Sequence, residues 1–280
     1  MLKFSTTIAY QHDSVFSPFK ADEFDKALEW VSAVGLDGIE LVISDYNDIH
    51  PETLLQLKKT LDGFGLSVSA LSIGGAYRRE GLCLLSLEQG IRDAAIKRVY
   101  QHIDAAEVFG TKVTVGIFRG AGRASELEKE TEWLRSALVK IDDYASTHGV
   151  GILLEPINRY EVTLLHSLAE TVRFIESTPS IQSTKIVWDL FHANIEDLDF
   201  EDEVNRYAEW IAHVHLADSN RAFPGYGKTD FQAVFKSLAL NGFDGYVSFE
   251  CLNLPDVKTV KTEMKEFVQK SGTNLTLHQA

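Results

Sequence analysis

Short runs of aliphatic and β-branched residues alternate along this chain with longer segments whose apolar residues recur every three or four positions. The short runs predict β-strands, and the longer segments predict amphipathic helices that bury one face. Three helical stripes are followed by a glycine, and a fourth follows Pro51, which suits the first turn of a helix. The pattern predicts eight strands, at residues 3–9, 38–43, 66–73, 112–118, 151–155, 185–189, 211–217 and 246–251.

Strand–helix alternation repeated eight times is typical of an α/β fold in which parallel strands close into a (β/α)8 TIM barrel. We expect residues 1–280 to form one such domain. An open, doubly wound sheet is the rival fold, but it usually shows a glycine-rich phosphate-binding turn that this chain lacks. The segment 74–87 is rich in glycine and arginine and is predicted to be a long irregular loop, either a lid or a solvated surface loop.

Composition narrows the class of protein. The formal net charge is −14 and the sequence pI is about 5.1, which disfavours a nucleic acid or an anionic membrane as partner. The two cysteines, Cys83 and Cys251, form neither a metal-binding motif nor a disulfide framework. We find no signal-peptide pattern and no long apolar stretch, and we expect a cytoplasmic enzyme that acts on a small molecule. A homo-oligomer is left open.

The predicted chemistry lies at the ends of the last four strands, because active sites of such barrels form at the carboxyl ends of the strands. Four residues with metal-binding side chains stand there, separated by 34, 26 and 35 positions, or about one strand–helix unit each: Glu155, Asp189, His215 and Glu250. A single acidic residue at a strand end is usually a cap or a loop anchor. Three carboxylates buried together, however, would be very costly without a cation between them.

Three carboxylates and one imidazole favour Mn²⁺, Mg²⁺ or Co²⁺ over a closed structural zinc site. We therefore expect one divalent ion, with Mn²⁺ first. His213 and His215 face the same side of their strand, and we assign His215 as the ligand because it lies nearer the carboxyl end. His213 would lie one layer deeper as a core histidine. His192 and Arg221 follow strand ends and are candidates to reach the site.

These residues resemble the xylose isomerase-like superfamily of sugar isomerases and epimerases over nearly the whole chain. The specific segments resemble the D-tagatose/D-psicose 3-epimerase group: EPINRYE at 155–161, WDLFHANIE at 188–196, HVHLADSNR at 213–221, PGYG at 224–227, and Glu250. The resemblance implies that Glu155, Asp189, His215 and Glu250 bind the metal. It further implies substrate contacts from Glu161, His192 and Arg221.

One branch is more similar still. The segments SIGGAY at 72–77, EGL at 80–82 and GIFRG at 116–120 resemble the 5-keto-L-gluconate epimerases. The ketose 3-epimerases usually carry a Cys-Gly-Pro-type loop after the fourth strand, whereas this chain has FRGAGR at 118–123. We expect Arg119 and Arg123 in that loop to bind a terminal carboxylate of the substrate, since a guanidinium matches a carboxylate or a phosphate in bidentate geometry. A substrate with a terminal phosphate is the second alternative and a plain ketose the third. The alternative role of the two arginines is a solvated position or pairing with Glu126 and Glu128.

These features predict a metal-dependent epimerase or isomerase of a keto-sugar or a keto-sugar acid. Glu155 and Glu250 would act as acid and base, with a cis-enediolate between the two proton transfers. A ketose 3-epimerase, an aldose–ketose isomerase and a hydroxypyruvate-type isomerase are the alternatives. A nuclease of the endonuclease IV type shares the fold, but its three-zinc site needs more ligands and it must bind a polyanion. A non-catalytic sugar-binding barrel would be expected to lack one of the two glutamates.

Overall fold

Eight parallel strands close into a barrel in which each strand pairs with its neighbours in the sequence and β8 pairs with β1. The computed structural model describes residues 2–46 and 49–274, with side chains as far as residue 270. The predicted (β/α)8 TIM barrel is confirmed. The strands are β1 (Lys3–Ala9), β2 (Gly38–Val42), β3 (Ser67–Ser72), β4 (Val113–Val115), β5 (Ile152–Leu154), β6 (Thr184–Asp189), β7 (Ile211–Leu216) and β8 (Tyr246–Phe249).

Helices connect the strands and bury their apolar stripes in one large hydrophobic cluster. α1 shows how the sequence produces this: its buried residues recur every three or four positions, and Gly35 ends it with a φ of 85°. The helices are α1 (Phe24–Val34), α2 (Pro51–Gly63), α3 (Gly74–Glu80), α4 (Gln89–Phe109), α5 (Leu127–Thr147), α6 (Leu168–Glu176), α7 (Leu190–Glu196), α8 (Phe200–Tyr207), α9 (Phe231–Leu240) and α10 (Val257–Asn274).

Across the described helices, none combines the length and the apolar character needed to cross a bilayer. The described strands run from Lys3 to Phe249 within the one barrel. The ends of the predicted domain, residue 1 and residues 275–280, lie outside the described residues. The single-domain organisation of residues 1–280 stays a prediction.

Two segments differ from their predicted structure. The first half of the expected loop 74–87 is helical, because α3 forms over Gly74–Glu80 with Ala76 buried beneath it. The fourth strand is shorter than predicted and ends at Val115. Gly116 follows with φ −102° and ψ −116°, outside the β region, and a short 3-10 turn then occupies Ile117–Arg119. These two departures shape one wall of the site.

Candidate active site

A cavity of about 200 Å³ lies at the carboxyl ends of the barrel strands. Its lining comes from segments that follow strands all around the barrel, which is where such barrels place their active sites. The polar residues around it include Ser44, Arg78, Glu155, Glu161, His192 and Arg221. Carboxylates, imidazoles and guanidinium groups therefore meet in one concave space.

The four predicted ligands lie together at this cavity. Glu155 and Glu250 directly follow β5 and β8, Asp189 is the last residue of β6, and His215 lies near the end of β7. One ligand atom from each residue lies within 4.8 Å of the others. The Nδ1 atom of His215 is 3.5 Å from Glu155 Oε1 and 3.4 Å from Glu250 Oε2. This cluster could hold a metal ion, with the imidazole nitrogen between two carboxylates.

Two atoms of this cluster are buried without a hydrogen-bond partner among the described residues: His215 Nδ1 and Asp189 Oδ2. The other carboxylate oxygen of Asp189 accepts from the backbone N–H of Phe191 at 2.8 Å and caps α7. A buried carboxylate oxygen and a buried ring nitrogen left unpaired are costly. A divalent cation would satisfy both, so the residues present fit a metal with three oxygen donors and one nitrogen donor.

Sequence reasoning missed Glu40, which holds the other side of His215. Glu40 lies on β2, is fully buried, and has Oε2 3.0 Å from Nε2 of His213 and 3.0 Å from Nε2 of His215. Burial opposes its charge, but His215 and His213 hold the pKa of the Glu40 carboxyl well below its usual range. Both imidazoles therefore donate Nε2–H to an ionised carboxylate, and Nδ1 of His215 faces the cluster. His213 lies deeper, as predicted.

The variant Glu40→Gln is expected to weaken metal binding by about 10- to 100-fold, the usual effect of altering a partner of a metal ligand. Glutamine is uncharged, so it accepts from the two imidazole N–H groups more weakly than the carboxylate does. The orientation of His215 is therefore less strongly enforced. His213→Gln, which can still donate to Glu40, is the matched control and should have a smaller effect. Calorimetric titration with Mn²⁺ measures both. Wild-type affinity in a folded Glu40→Gln protein would contradict this role.

The two glutamates of the cluster differ in protonation. Burial, with the charges of Glu155 and Asp189 adding to it, raises the pKa of Glu250 to about 8. Burial also acts on Glu155, but the charge of the neighbouring His215 outweighs it and lowers the pKa of that carboxyl. The neighbouring His215 is desolvated too, yet the charges of Glu40 and Glu250 raise its pKa well above 6.5. The metal-free site therefore pairs one protonated and one ionised carboxyl group near neutral pH.

Gly116 and Arg119 position Glu155. A Cβ atom on Gly116 would overlap Oε2 of Glu155, so a side chain at this point would displace the Glu155 carboxylate. Arg119 is fully buried, and its Nη1 donates to the backbone carbonyls of Gly116 at 3.3 Å and of Glu155 at 2.5 Å. Its Nη2 donates to the carbonyls of Leu164 and Leu165 at 3.2 and 3.3 Å.

The placement of Arg119 and Arg123 corrects the prediction that they bind the substrate. The guanidinium of Arg119 binds backbone oxygens and does not line the cavity. Arg123 also lies away from the cavity lining, and its Nη2 is 2.6 Å from Oε1 of Glu130 and donates to the carbonyl of Leu85 at 2.6 Å. Glu130, and not Glu126 or Glu128, is its ion-pair partner. Both arginines therefore stabilise the loop after β4.

The three residues expected to contact substrate all line the cavity. Arg221 Nη1 is 3.4 Å from Glu161 Oε1, and its Nη2 is 3.7 Å from Glu250 Oε2. The guanidinium also lies between the rings of Phe16 and Phe191, at 4.8 and 4.7 Å from their centroids. Arg221 adopts a φ of 62°, a left-handed conformation unusual for a residue with a side chain. Charge and two aromatic faces hold it in that position.

Asn158 orients His192, and this contact was not predicted. The Nδ2 atom of Asn158 is 2.7 Å from Nδ1 of His192 and 3.0 Å from Glu161 Oε1. An amide N–H donated to Nδ1 leaves the proton on Nε2, which is 3.6 Å from Asp189 Oδ2. The imidazole therefore presents an N–H donor beside the metal-ligand cluster. Asn158 is part of the EPINRYE segment at 155–161 that the sequence singled out. The direction of its side chain, however, depends on the conformation of the turn.

Comparison with known proteins places the chain among sugar epimerases. It is 32% identical to an L-ribulose 3-epimerase of Mesorhizobium japonicum over 85% of this chain and 79% of that protein. It is 31% identical to a 3-dehydro-D-guloside 4-epimerase of Escherichia coli, over 44% of this chain and 47% of that enzyme. A solved L-ribulose 3-epimerase structure superimposes with a TM-score of 0.80 at 25% identity, covering 100% of this chain and 99% of that one.

Epimerases are isomerases, and the prediction of an isomerase is confirmed at that level. The predicted resemblance to the tagatose and psicose epimerase group is likewise confirmed. The family model described as "Xylose isomerase-like TIM barrel" matches residues 28–271, most of the barrel described above. The chain therefore belongs to the xylose isomerase-like TIM barrel family.

Proposed function

We propose that this protein is a divalent-metal-dependent epimerase of a keto-sugar or a keto-sugar acid. The observation that carries the proposal is the buried cluster in which Glu155 and Glu250 lie on either side of His215 Nδ1, at 3.5 and 3.4 Å. Named relatives that epimerise ketoses support the reaction class. The cavity at the strand ends supports a small substrate.

Glu155, Asp189, His215 and Glu250 would hold the ion, since each offers one ligand atom to a common point. The donor set favours Mn²⁺, with Mg²⁺ or Co²⁺ as alternatives. When bound, the cation supplies Lewis-acid polarisation of the substrate ketone. Glu40 and the backbone N–H of Phe191 keep His215 and Asp189 in the orientation that this binding needs.

Epimerisation next to a ketone removes a proton from one face of a carbon and returns a proton to the other face. In the proposed reaction one glutamate takes the C–H proton, which leaves an enediolate, and the other glutamate then donates its own proton to the opposite face. Glu155 and Glu250 follow β5 and β8, so a substrate held between them meets one carboxyl group on each side. Their different protonation near neutral pH suits one acid and one base.

Glu161, His192 and Arg221 would hold the hydroxyl groups of the sugar. His192 presents Nε2–H beside the cluster, and Arg221 is already held by Glu161 and Glu250. These groups fix the substrate so that the reacting carbon lies between the two carboxyl groups.

The experiment is a panel of ketoses, keto-sugar acids and keto-glycosides incubated with protein loaded with Mn²⁺, Mg²⁺ or Co²⁺, with products read by carbohydrate chromatography. We expect an epimer of at least one keto-sugar, formed only while the metal is present and lost on chelation. One relative is named a 3-epimerase and another a 4-epimerase, so the product would also show at which carbon this protein acts. An aldose product would favour the aldose–ketose isomerase alternative. Nicking of abasic DNA without sugar turnover would overturn the proposal.

A further inference from the structure

The wall of the cavity formed by α3 carries two arginines that pair with none of the described side chains. Arg78 and Arg79 line the cavity, and both are exposed. Over residues 2–46 and 49–270, neither guanidinium has a hydrogen bond, an ion pair or a ring contact. An arginine that is free at a concave site leaves five N–H donors available to a ligand.

The helix that carries them is firmly held. Glu80, the last residue of α3, accepts two hydrogen bonds from the guanidinium of Arg98, at 2.6 and 2.8 Å. The buried Arg98 also donates to the backbone carbonyl of Ser44 at 2.9 Å, which ties α3 to the end of β2. On the cavity side, a Cβ on Gly75 would lie 2.5 Å from Ser44 Oγ, so α3 packs directly on that segment. Arg78 and Arg79 therefore extend from a fixed base.

The other arginines near the site already bind protein groups. Arg221 contacts Glu161 and Glu250, while Arg119 and Arg123 bind groups outside the cavity. The acidic cluster follows β5 to β8, whereas α3 follows β3, and in the closed order of eight strands β3 lies across the barrel from β7. The cavity thus has a carboxylate-rich side and, across from His215, a side with two positive charges that no described residue neutralises.

We propose that Arg78 and Arg79 bind the terminal carboxylate of a keto-sugar acid and so select the anionic substrate. This inference rests on the proposed epimerase function. A substrate whose ketone lies at the metal-binding cluster would extend its far end toward α3, where the guanidinium groups match a carboxylate in bidentate geometry. A phosphate group offers related chemistry, and the test separates the two. The two residues take the role that the sequence assigned to Arg119 and Arg123.

The test compares Arg78→Met, Arg79→Met and the double variant with the wild-type protein. Each is assayed with Mn²⁺ on a keto-hexonate, on the matching neutral ketohexose and on the matching ketose phosphate. We expect the wild type to prefer the acid, and the double variant to lose about 10- to 100-fold in the ratio of kcat/KM for acid over neutral sugar. Arg206→Met removes an exposed charge on α8 away from the cavity lining and is the matched control.

The outcomes distinguish a failure of the role given to Arg78 and Arg79 from a failure of the epimerase proposal. Turnover of the neutral ketose without any preference for the acid would overturn the role of Arg78 and Arg79 and leave the epimerase proposal intact. The same conclusion follows if the preference survives in the double variant or is lost equally in Arg206→Met. Preference for the phosphate would overturn the carboxylate as ligand. Absence of turnover on every sugar would overturn the epimerase proposal, and this inference with it.

Discussion

Glu155→Gln and Glu250→Gln should each lower kcat by about 10²- to 10⁴-fold on whichever keto-sugar is the substrate. The amide keeps the shape of the side chain and one oxygen for the ion, but it can neither take nor release the proton that epimerisation moves. The loss should therefore appear in kcat with metal still bound. Steady-state kinetics at saturating Mn²⁺, with bound metal measured on the same samples, gives both quantities.

The control for these variants is Glu263→Gln. Glu263 is a carboxylate on α10 that accepts from the Tyr226 hydroxyl at 2.8 Å and does not line the cavity. Its replacement should leave kcat unchanged. If Glu155→Gln and Glu250→Gln both retained more than about a tenth of wild-type kcat with the ion bound, the two-carboxylate scheme would be wrong.

Asp189→Asn is expected to remove the ion. The loss of affinity should exceed about 100-fold, the upper end of the range for changing a residue that hydrogen-bonds to a metal ligand. Asparagine can still accept from the N–H of Phe191 and cap α7, but its NH₂ group replaces the buried oxygen that has no hydrogen-bond partner among the described residues. The effect is therefore on the metal and not on the fold. Asp13→Asn, which changes an exposed carboxylate of the same cavity, should bind metal like the wild type. Equal metal content in the two variants would contradict the assignment.

Wild-type metal affinity should also depend on pH. The cation binds the ionised carboxylate, and the pKa of Glu250 is raised to about 8 in the metal-free protein. Binding at pH 7 must therefore displace a proton, so affinity should fall as pH falls below 8. The same calorimetric titrations, repeated in buffers of different ionisation enthalpy, would report the protons released.

The strand ends could be predicted because two regularities determine them. Hydrophobic periodicity locates each strand within one to three residues, and the barrel rule brings all carboxyl ends to one face. Glu155, Asp189, His215 and Glu250 therefore meet although they are far apart in the sequence. Each of these side chains belongs to a strand or directly follows one, where direction is set by the strand itself.

Side chains in loops could not be placed in the same way. Arg119 is on a 3-10 turn that directs its guanidinium to the carbonyl oxygens of Gly116 and Glu155, and this turn begins after Gly116, whose backbone lies outside the β region. Residues 74–80 have weak helical periodicity, and the contact between Glu80 and Arg98 stabilises α3 from outside the segment. Glu40 had one available signal, a charged residue inside the apolar strand GIELV at 38–42. Its pairing with His213 and His215 needs the closed barrel.

The most direct test of the central claim is the fate of the proton at the epimerised carbon. Metal-loaded protein is incubated with its keto-sugar in D₂O, and proton NMR follows both epimers. Because one glutamate removes the proton and the other donates a different one, the product should carry deuterium at the inverted carbon and at no other carbon. Formation of an epimer that retains the original proton at that carbon, at a rate unaffected by Glu250→Gln, would contradict the account.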